Sequence, residues 1–515
     1  MTDNPDLTKG SGPIDGPAPA RGPGPAKGPD TTGGPDPTAA TVTTAKAPTI
    51  NPDEFLGRAS GFSLDSQPRS VRNAVIGYSN RVRSGDPGAL PSLLGIVVLG
   101  FLFSKVSDRF LSLNNIGNLP GQSAYIAVIA MGLIFVLLLG EIDLSAGTAG
   151  GVCAGFAAQA LFSGGLKQGV SGVLFWILIG FMVVALLTAV YLKAYTGAAV
   201  VLIGLLIVAF GLEQHVIGAM IFAVTIGTAI GILTGWLVAK VGIPSFIVTL
   251  ALFLAWQGVL LFALKSQPVG IQNYPYWYGL ANNNMSNTWS WVFTIVVLVG
   301  YLGYTLWRAQ RARTKGLIAE SVPLVLIRGG VVAAIGIVLT IFACRDRNPN
   351  IGFPISGIPW AMSIPIVLMI VCNIALTKSP WGRHLFATGG NVEAARRAGI
   401  DVVHIRVTAF TVCSSFAALG GLFLSSSTGG AQLDLGSGNI LLFSVAAAVI
   451  GGTSLFGGRG KPRDAIIGAL VIGMIPNGIG LKPSLPAQWQ TVITGAVLLV
   501  AAAVDALSRR SSSRR

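Results

Sequence analysis

Apolar runs of close to twenty residues recur along most of this chain, and they constrain it more than any other feature. The hydrocarbon core of a bilayer is about 30 Å thick, so a helix needs roughly 20 predominantly apolar residues to cross it. On that ruler about fourteen spans stand out, at 88–106, 122–140, 145–163, 169–192, 196–212, 216–238, 243–264, 290–307, 323–344, 358–377, 407–426, 438–453, 465–480 and 487–507. Only 11% of the 515 residues are charged, 52% are hydrophobic, and mean hydropathy is +0.68. A soluble chain carries about a quarter charged residues, so most of this one has no water-facing surface to populate. The 67 glycines suit helices packed closely in lipid, where small residues let backbones approach. The expected fold is all-α: a polytopic helical membrane protein of about fourteen spans, with 88–507 as the transmembrane domain.

Residues 1–87 differ. The stretch GPAPARGPGPAKGPD cannot bury enough apolar surface to offset the entropy of ordering, so a disordered region is expected there. It has no apolar run of the signal-peptide kind. The net charge of +15 does not point to nucleic acid, because the basic residues fall mostly in short loops between apolar runs, as cytoplasmic retention requires. Counting from a cytoplasmic N-terminus, the basic loops at 308–322, 378–406 and 454–464 and the basic tail at 508–515 all fall inside. The segments 266–289 and 427–437 fall outside and carry no Lys or Arg. Lys105, Arg109, Lys167, Lys265, Arg345, Arg347 and Lys482 are exceptions to the rule. The expected location is therefore the cytoplasmic membrane, with both termini inside.

No catalytic, metal or cofactor signature is present. The nearest approach to a P-loop, GGRGKP, has Leu455 in place of the leading Gly and Pro462 after the Lys. His215, His384 and His404 are scattered, and Cys153, Cys344, Cys372 and Cys413 are far apart, which reads as buried thiols. Three segments carry information instead. In GEIDLSAG (140–147), Glu141 and Asp143 are carboxylates in a very short turn between spans, where charge is expensive and either paired or functional. Asp143 or Ser145 can also accept from the first N–H groups of the next helix. In GRHLFATGGNVEAARRAGI (382–400), Gly389 and Gly390 are expected to turn, Asn391 to cap a short helix over 392–398, and Gly399 to stop it. A short interfacial helix with small residues on one face fits docking to a soluble partner; the alternative is a basic loop that only fixes orientation. In VIGGTSLFGGRG (449–460), no strand precedes the glycines and no Lys-Ser/Thr follows, so a tight turn in crowded packing is expected. The aromatics Tyr274, Tyr276, Trp277, Tyr278 and Trp289 are expected in an interfacial belt, the alternative being a surface that stacks on a sugar or meets a partner protein.

These motifs, in this order, resemble the permease subunit of bacterial sugar ABC importers, the ribose and xylose permease family. Its pattern is GIDLSVG, then PSFIVTLA, then AxGGNxxAARxxGI, then IGGTSLxGGxG. The corresponding segments here are GEIDLSAG (140–147), PSFIVTLA (244–251), ATGGNVEAARRAGI (387–400) and IGGTSLFGGRG (450–460). Glu141 ahead of IDLS resembles the xylose-type members. The resemblance implies a fold similar to vitamin B12 importers, with residues 165–214 inserted as two extra helices. It also implies a second permease copy, a cytoplasmic ATP-binding subunit and an extracytoplasmic sugar-binding protein. The loop that meets the ATPase would be carried by Gly389, Gly390, Asn391, Ala394, Ala395, Arg396, Gly399 and Ile400. Candidates for gating or lining a pathway are Glu141, Asp143, Ser145, Gly451, Gly452, Thr453 and Ser454. The stretch Lys461-Pro-Arg-Asp464 departs from the family, which has small uncharged residues there. The alternative function is a secondary transporter in which Glu141 and Asp143 carry protons or hold a cation. No acid, base and nucleophile converge in sequence, which disfavours an enzyme.

Overall fold

A computed structural model describes residues 90–315, 322–348, 354–486 and 488–513; the N-terminal region expected to be disordered lies outside these. The chain forms α1 (Leu90–Val106), α2 (Leu113–Leu137), α3 (Ala146–Phe162), the single turn α4 (Leu166–Gly169), α5 (Gly172–Tyr191), α6 (Tyr195–Ala209) and α7 (Val216–Trp236, extended by a π turn to Val241). Then follow α8 (Ser245–Ala263), α9 (Pro275–Asn282), α10 (Asn287–Thr314), α11 (Val322–Cys344), α12 (Trp360–Lys378), α13 (Pro380–Gly390) and α14 (Val392–Arg397). The last four are α15 (Val402–Thr428), α16 (Ile440–Gly451), α17 (Pro462–Gly480) and α18 (Gln488–Ser513). A two-residue strand pair, β1 (Val269–Gly270) with β2 (Gly430–Ala431), is the sole sheet among the described residues.

Every apolar run marked in the sequence lies on a helix, and among the described residues 8 helices are long and apolar enough to cross a membrane: α2, α5, α7 with its π turn, α8, α10, α11, α12 and α15. Three boundaries differ from expectation. The run at 438–453 yields only the 12 residues of α16, about 18 Å long and too short to span. Left-handed Gly436 and Gly438 precede it and Gly452, at φ 119°, ends it. Helix α2 starts nine positions before the expected 122, because Ser112 caps it by accepting from the Asn115 N–H. Its first turns carry asparagines that hydropathy scores as loop. Helix α18 continues through the first part of the expected tail to Ser513.

Small residues set the packing. Gly227, Gly231 and Gly235 form a stripe at i, i+4, i+8 on α7, against α15. A methyl added to them would stand 2.5 Å from the Ser414 carbonyl, 2.5 Å from the Phe410 carbonyl and 2.8 Å from Val407 Cα. Helices α3 and α15 cross where Gly150 faces Gly421. With no hydrophobic drive between helices in lipid, such close approach supplies the van der Waals contact that holds them. The C-terminal three-fifths of α2, residues 123–137, is buried almost throughout.

The 165–214 region forms α4 to α6, and α5 buries only Phe175, Leu178, Met182, Ala185 and Ala189, one stripe of a helix. Helices α10 and α11 lie at the edge, largely exposed, and meet through Thr294 Oγ1 and Thr340 Oγ1 at 2.7 Å. Trp277, expected in an aromatic belt, is instead fully buried, donating to the Leu422 carbonyl and Ser425 Oγ at 3.1 Å each. Tyr276 and Trp289 remain exposed.

Candidate functional site

The four motifs, far apart in sequence, meet at one end of the helix bundle. Helix α2 leaves its last turn through Leu138 and left-handed Gly140, and the Leu138 carbonyl is where the others converge. The Gly458 N–H donates to it at 2.9 Å, and Gly389, in the last turn of α13, presses on the same carbonyl so closely that a Cβ there would overlap it. Gly457, at φ 86°, sits against Gly140 and Gly389. The PSFIVTLA segment joins through Thr249 Oγ1, which donates to the Ile142 carbonyl at 3.4 Å. Glycine is required at Gly389 and Gly457 because three chain segments share one contact.

The two carboxylates of GEIDLSAG have different partners. Asp143 is fully buried. Its Oδ1 accepts from the Ser145 N–H at 2.9 Å and from Ser145 Oγ at 2.7 Å, and the Cys413 thiol lies 3.7 Å from Oδ2. It therefore satisfies the amide leading into α3, while Ser145 makes no side-chain cap of its own. Glu141 reaches across to α15, with Oε1 3.1 Å from Arg406 Nη2; the side chains are 16% and 26% exposed respectively. Sequence reasoning singled out Glu141 but missed Arg406, which it counted only as one cation of a basic loop.

The third motif folds largely as its residues dictate. Asn391 Oδ1 accepts from the Ala394 N–H at 2.9 Å, α14 covers Val392–Arg397, and Gly399 at φ 81° closes it. Glu393 pairs with Arg396 and Arg397 on the exposed face. One expectation needs correction. Gly389 and Gly390 do not form a turn: they end helix α13, and the chain breaks at Asn391, which is extended. Within this segment, Ala394 and Gly399 are exposed, Ile400 is half-buried and Ala395 is only 4% exposed.

In the fourth motif, Gly451, Thr453 and Ser454 are buried and Gly452 is exposed. Gly451 lies directly on the Asp464 backbone. The unusual KPRD stretch starts α17, with Asp464 Oδ2 accepting from the Lys461 N–H at 2.8 Å and from Thr453 Oγ1 at 3.4 Å. Phe456, 61% exposed, stands on the same end as α14. Among the described residues no group of three or more His, Cys, Asp or Glu could hold a metal ion.

Residues 115–502 match the family described as "Branched-chain amino acid transport system / permease component". The chain is 29% identical to the xylose transport system permease protein XylH of Haemophilus influenzae, over 81% of this chain and 96% of that protein. It is 28% identical to XylH of Escherichia coli K12, over 87% and 99%. It is 26% identical to the ribose import permease protein RbsC of Escherichia coli K12, over 80% and 92%. No solved structure matches.

Proposed function

This chain belongs to the family of branched-chain amino acid transport system permease components, and from that membership we propose that it is the membrane-spanning permease subunit of an ATP-driven sugar importer. A monosaccharide is the substrate, with a xylose-like pentose first, because relatives matched over nearly their whole length are named for xylose and ribose. ATP is hydrolysed on a separate cytoplasmic chain, and a binding protein on the other face delivers the sugar. Two copies of the permease form the translocation unit. Both termini are cytoplasmic.

The convergence of Leu138, Gly389 and Gly458 carries this reading. It joins α13, which leads through Asn391 into the exposed short helix α14, to the turn between α2 and α3 and to the segment ahead of α17, so a push on α14 is passed to packed backbone beside two buried helices. Rigid packed elements of this kind transmit small displacements. The test is co-purification of the full chain with its ATP-binding subunit and binding protein, followed by a ligand screen on the latter. A pentose that stabilises the binding protein, with the ATPase retained on the permease, is expected. A binding protein that takes branched-chain amino acids and no sugar would overturn the substrate.

A further inference from the structure

The end of the bundle away from the motifs holds a cleft of about 500 Å³, inside the range of small-molecule sites, roughly 300–1,000 Å³. Its walls are the first turns of α2 and the last turn of α17, and besides Arg109 and Ser112, just ahead of α2, its polar groups are Asn114, Asn115, Asn118, Gln122 and Asn477. Deepest is Asn477, 7% exposed. It exchanges two 2.8 Å hydrogen bonds with Asn115 and donates to Gln122 Oε1 at 3.1 Å, so the floor of the cleft is fixed before anything enters. Asn118 and Gln122 are exposed; Asn118 is held only by a 3.2 Å bond to Asn114. Both helices carry an internal proline at this level, Pro120 and Pro476, so the backbone ladder is already interrupted there.

We propose that this cleft is an entry subsite for a neutral polyhydroxylated ligand, a monosaccharide. The N–H donors of Asn115 and Asn477 are spent on each other, on Gln122 and on the Phe110 carbonyl. The exposed carboxamides of Asn118 and Gln122 keep donors and acceptor lone pairs that match hydroxyls able to donate and accept at once. No carboxylate lines the cleft, so the ammonium of an amino acid or a free cation finds no counter-charge. Polar side chains gathered inside an otherwise apolar bundle mark substrate pathways. The same two helices run from the cleft to the motif end. Helix α2 descends about 37 Å to Leu138, and α17 begins at the Asp464 cap beside Thr453. A ligand held between them therefore touches both elements that the motif end packs against.

The inference rests on the sugar-importer reading, and its experiment separates the two. The full chain, with Cys344→Ser to remove the one cysteine that is not buried and Asn118→Cys in the cleft, is reconstituted in bilayer discs. Modification by a small water-soluble thiol reagent is timed with and without D-xylose, D-ribose and L-leucine. A sugar at about ten times its Kd should slow labelling by about tenfold through mass action, and L-leucine should leave it unchanged. Equal rates with and without either sugar, or protection by L-leucine, would overturn the proposal. A second variant, Asn118→Leu, changes one exposed side chain whose bond is to Asn114 alone and leaves the floor intact; sugar uptake should fall about fivefold at subsaturating substrate with membrane abundance unchanged. Undiminished uptake in that variant would also overturn it. If the unmodified chain with its ATPase and binding protein imports no sugar, the importer reading itself fails, whatever the labelling shows.

Discussion

Ala394 and Ala395 are adjacent, chemically identical and placed in opposite environments, which makes them a direct probe of α14. Ala394 is exposed and contributes only its backbone N–H to the Asn391 cap, so Ala394→Glu leaves that bond intact. Surface substitutions of this kind change stability by about 0.5 kcal/mol or less. Ala395 is 4% exposed; Ala395→Leu forces extra methylenes into occupied space, at a cost of about 1–3 kcal/mol. Ala395→Glu is worse, since an unpaired carboxylate would be buried. Thermal unfolding followed by size-exclusion chromatography should therefore show Ala394→Glu melting with the unmodified chain and both Ala395 variants melting earlier. Pull-down of the ATP-binding subunit should show the reverse sensitivity. A bulky charge at the exposed position should weaken that association by about 1–3 kcal/mol, about fivefold to 150-fold in affinity, with the fold intact. If Ala394→Glu retains full ATPase association and full uptake, α14 is a topology determinant and not a docking element.

The Glu141–Arg406 pair links the α2–α3 turn to α15 across a partly buried gap. Removing either charge should lower transport and stability by about 1–3 kcal/mol, and the exchanged pair Glu141→Arg with Arg406→Glu should recover part of the loss; no coupling energy in that double-mutant cycle would mean the pair is incidental. Sidedness is open to an impermeant thiol reagent on intact cells carrying Cys344→Ser: a cysteine at exposed Asn283 should react and one at exposed Glu393 should be shielded, and the opposite pattern would invert the orientation.

Much of this architecture was legible because helix length in lipid is set by hydrocarbon thickness, and every run marked in the sequence lies on a helix. Local chemistry was legible too: Asn391 caps and Gly399 stops where their conformational preferences place them. What hydropathy could not register is burial against protein as opposed to burial in lipid. The first turns of α2 scored as loop because Asn114, Asn115 and Asn118 are polar, although they continue the helix and face a cleft. Trp277 scored as an interfacial aromatic although its N–H is anchored inside. Helix α16 scored as a span although flanking left-handed glycines cut it short. The partners of Glu141 and of the Leu138 carbonyl come from distant segments, and no local pattern announces them. Nor could the sequence show that α14 turns Ala395 inward and Ala394 outward.

The central claim, ATP-driven import, is tested most directly by sugar uptake into vesicles loaded with ATP and bearing the permease, its ATPase and its binding protein, with and without a protonophore, for the unmodified chain and Asp143→Asn. The Asp143 carboxylate is occupied by the Ser145 N–H and hydroxyl, and an asparagine oxygen can accept at the same place. Uptake should therefore require ATP, persist when the proton gradient collapses, and be largely retained in Asp143→Asn. Uptake that proceeds without ATP, stops with the protonophore and is lost in Asp143→Asn would contradict the account and identify a proton-coupled carrier.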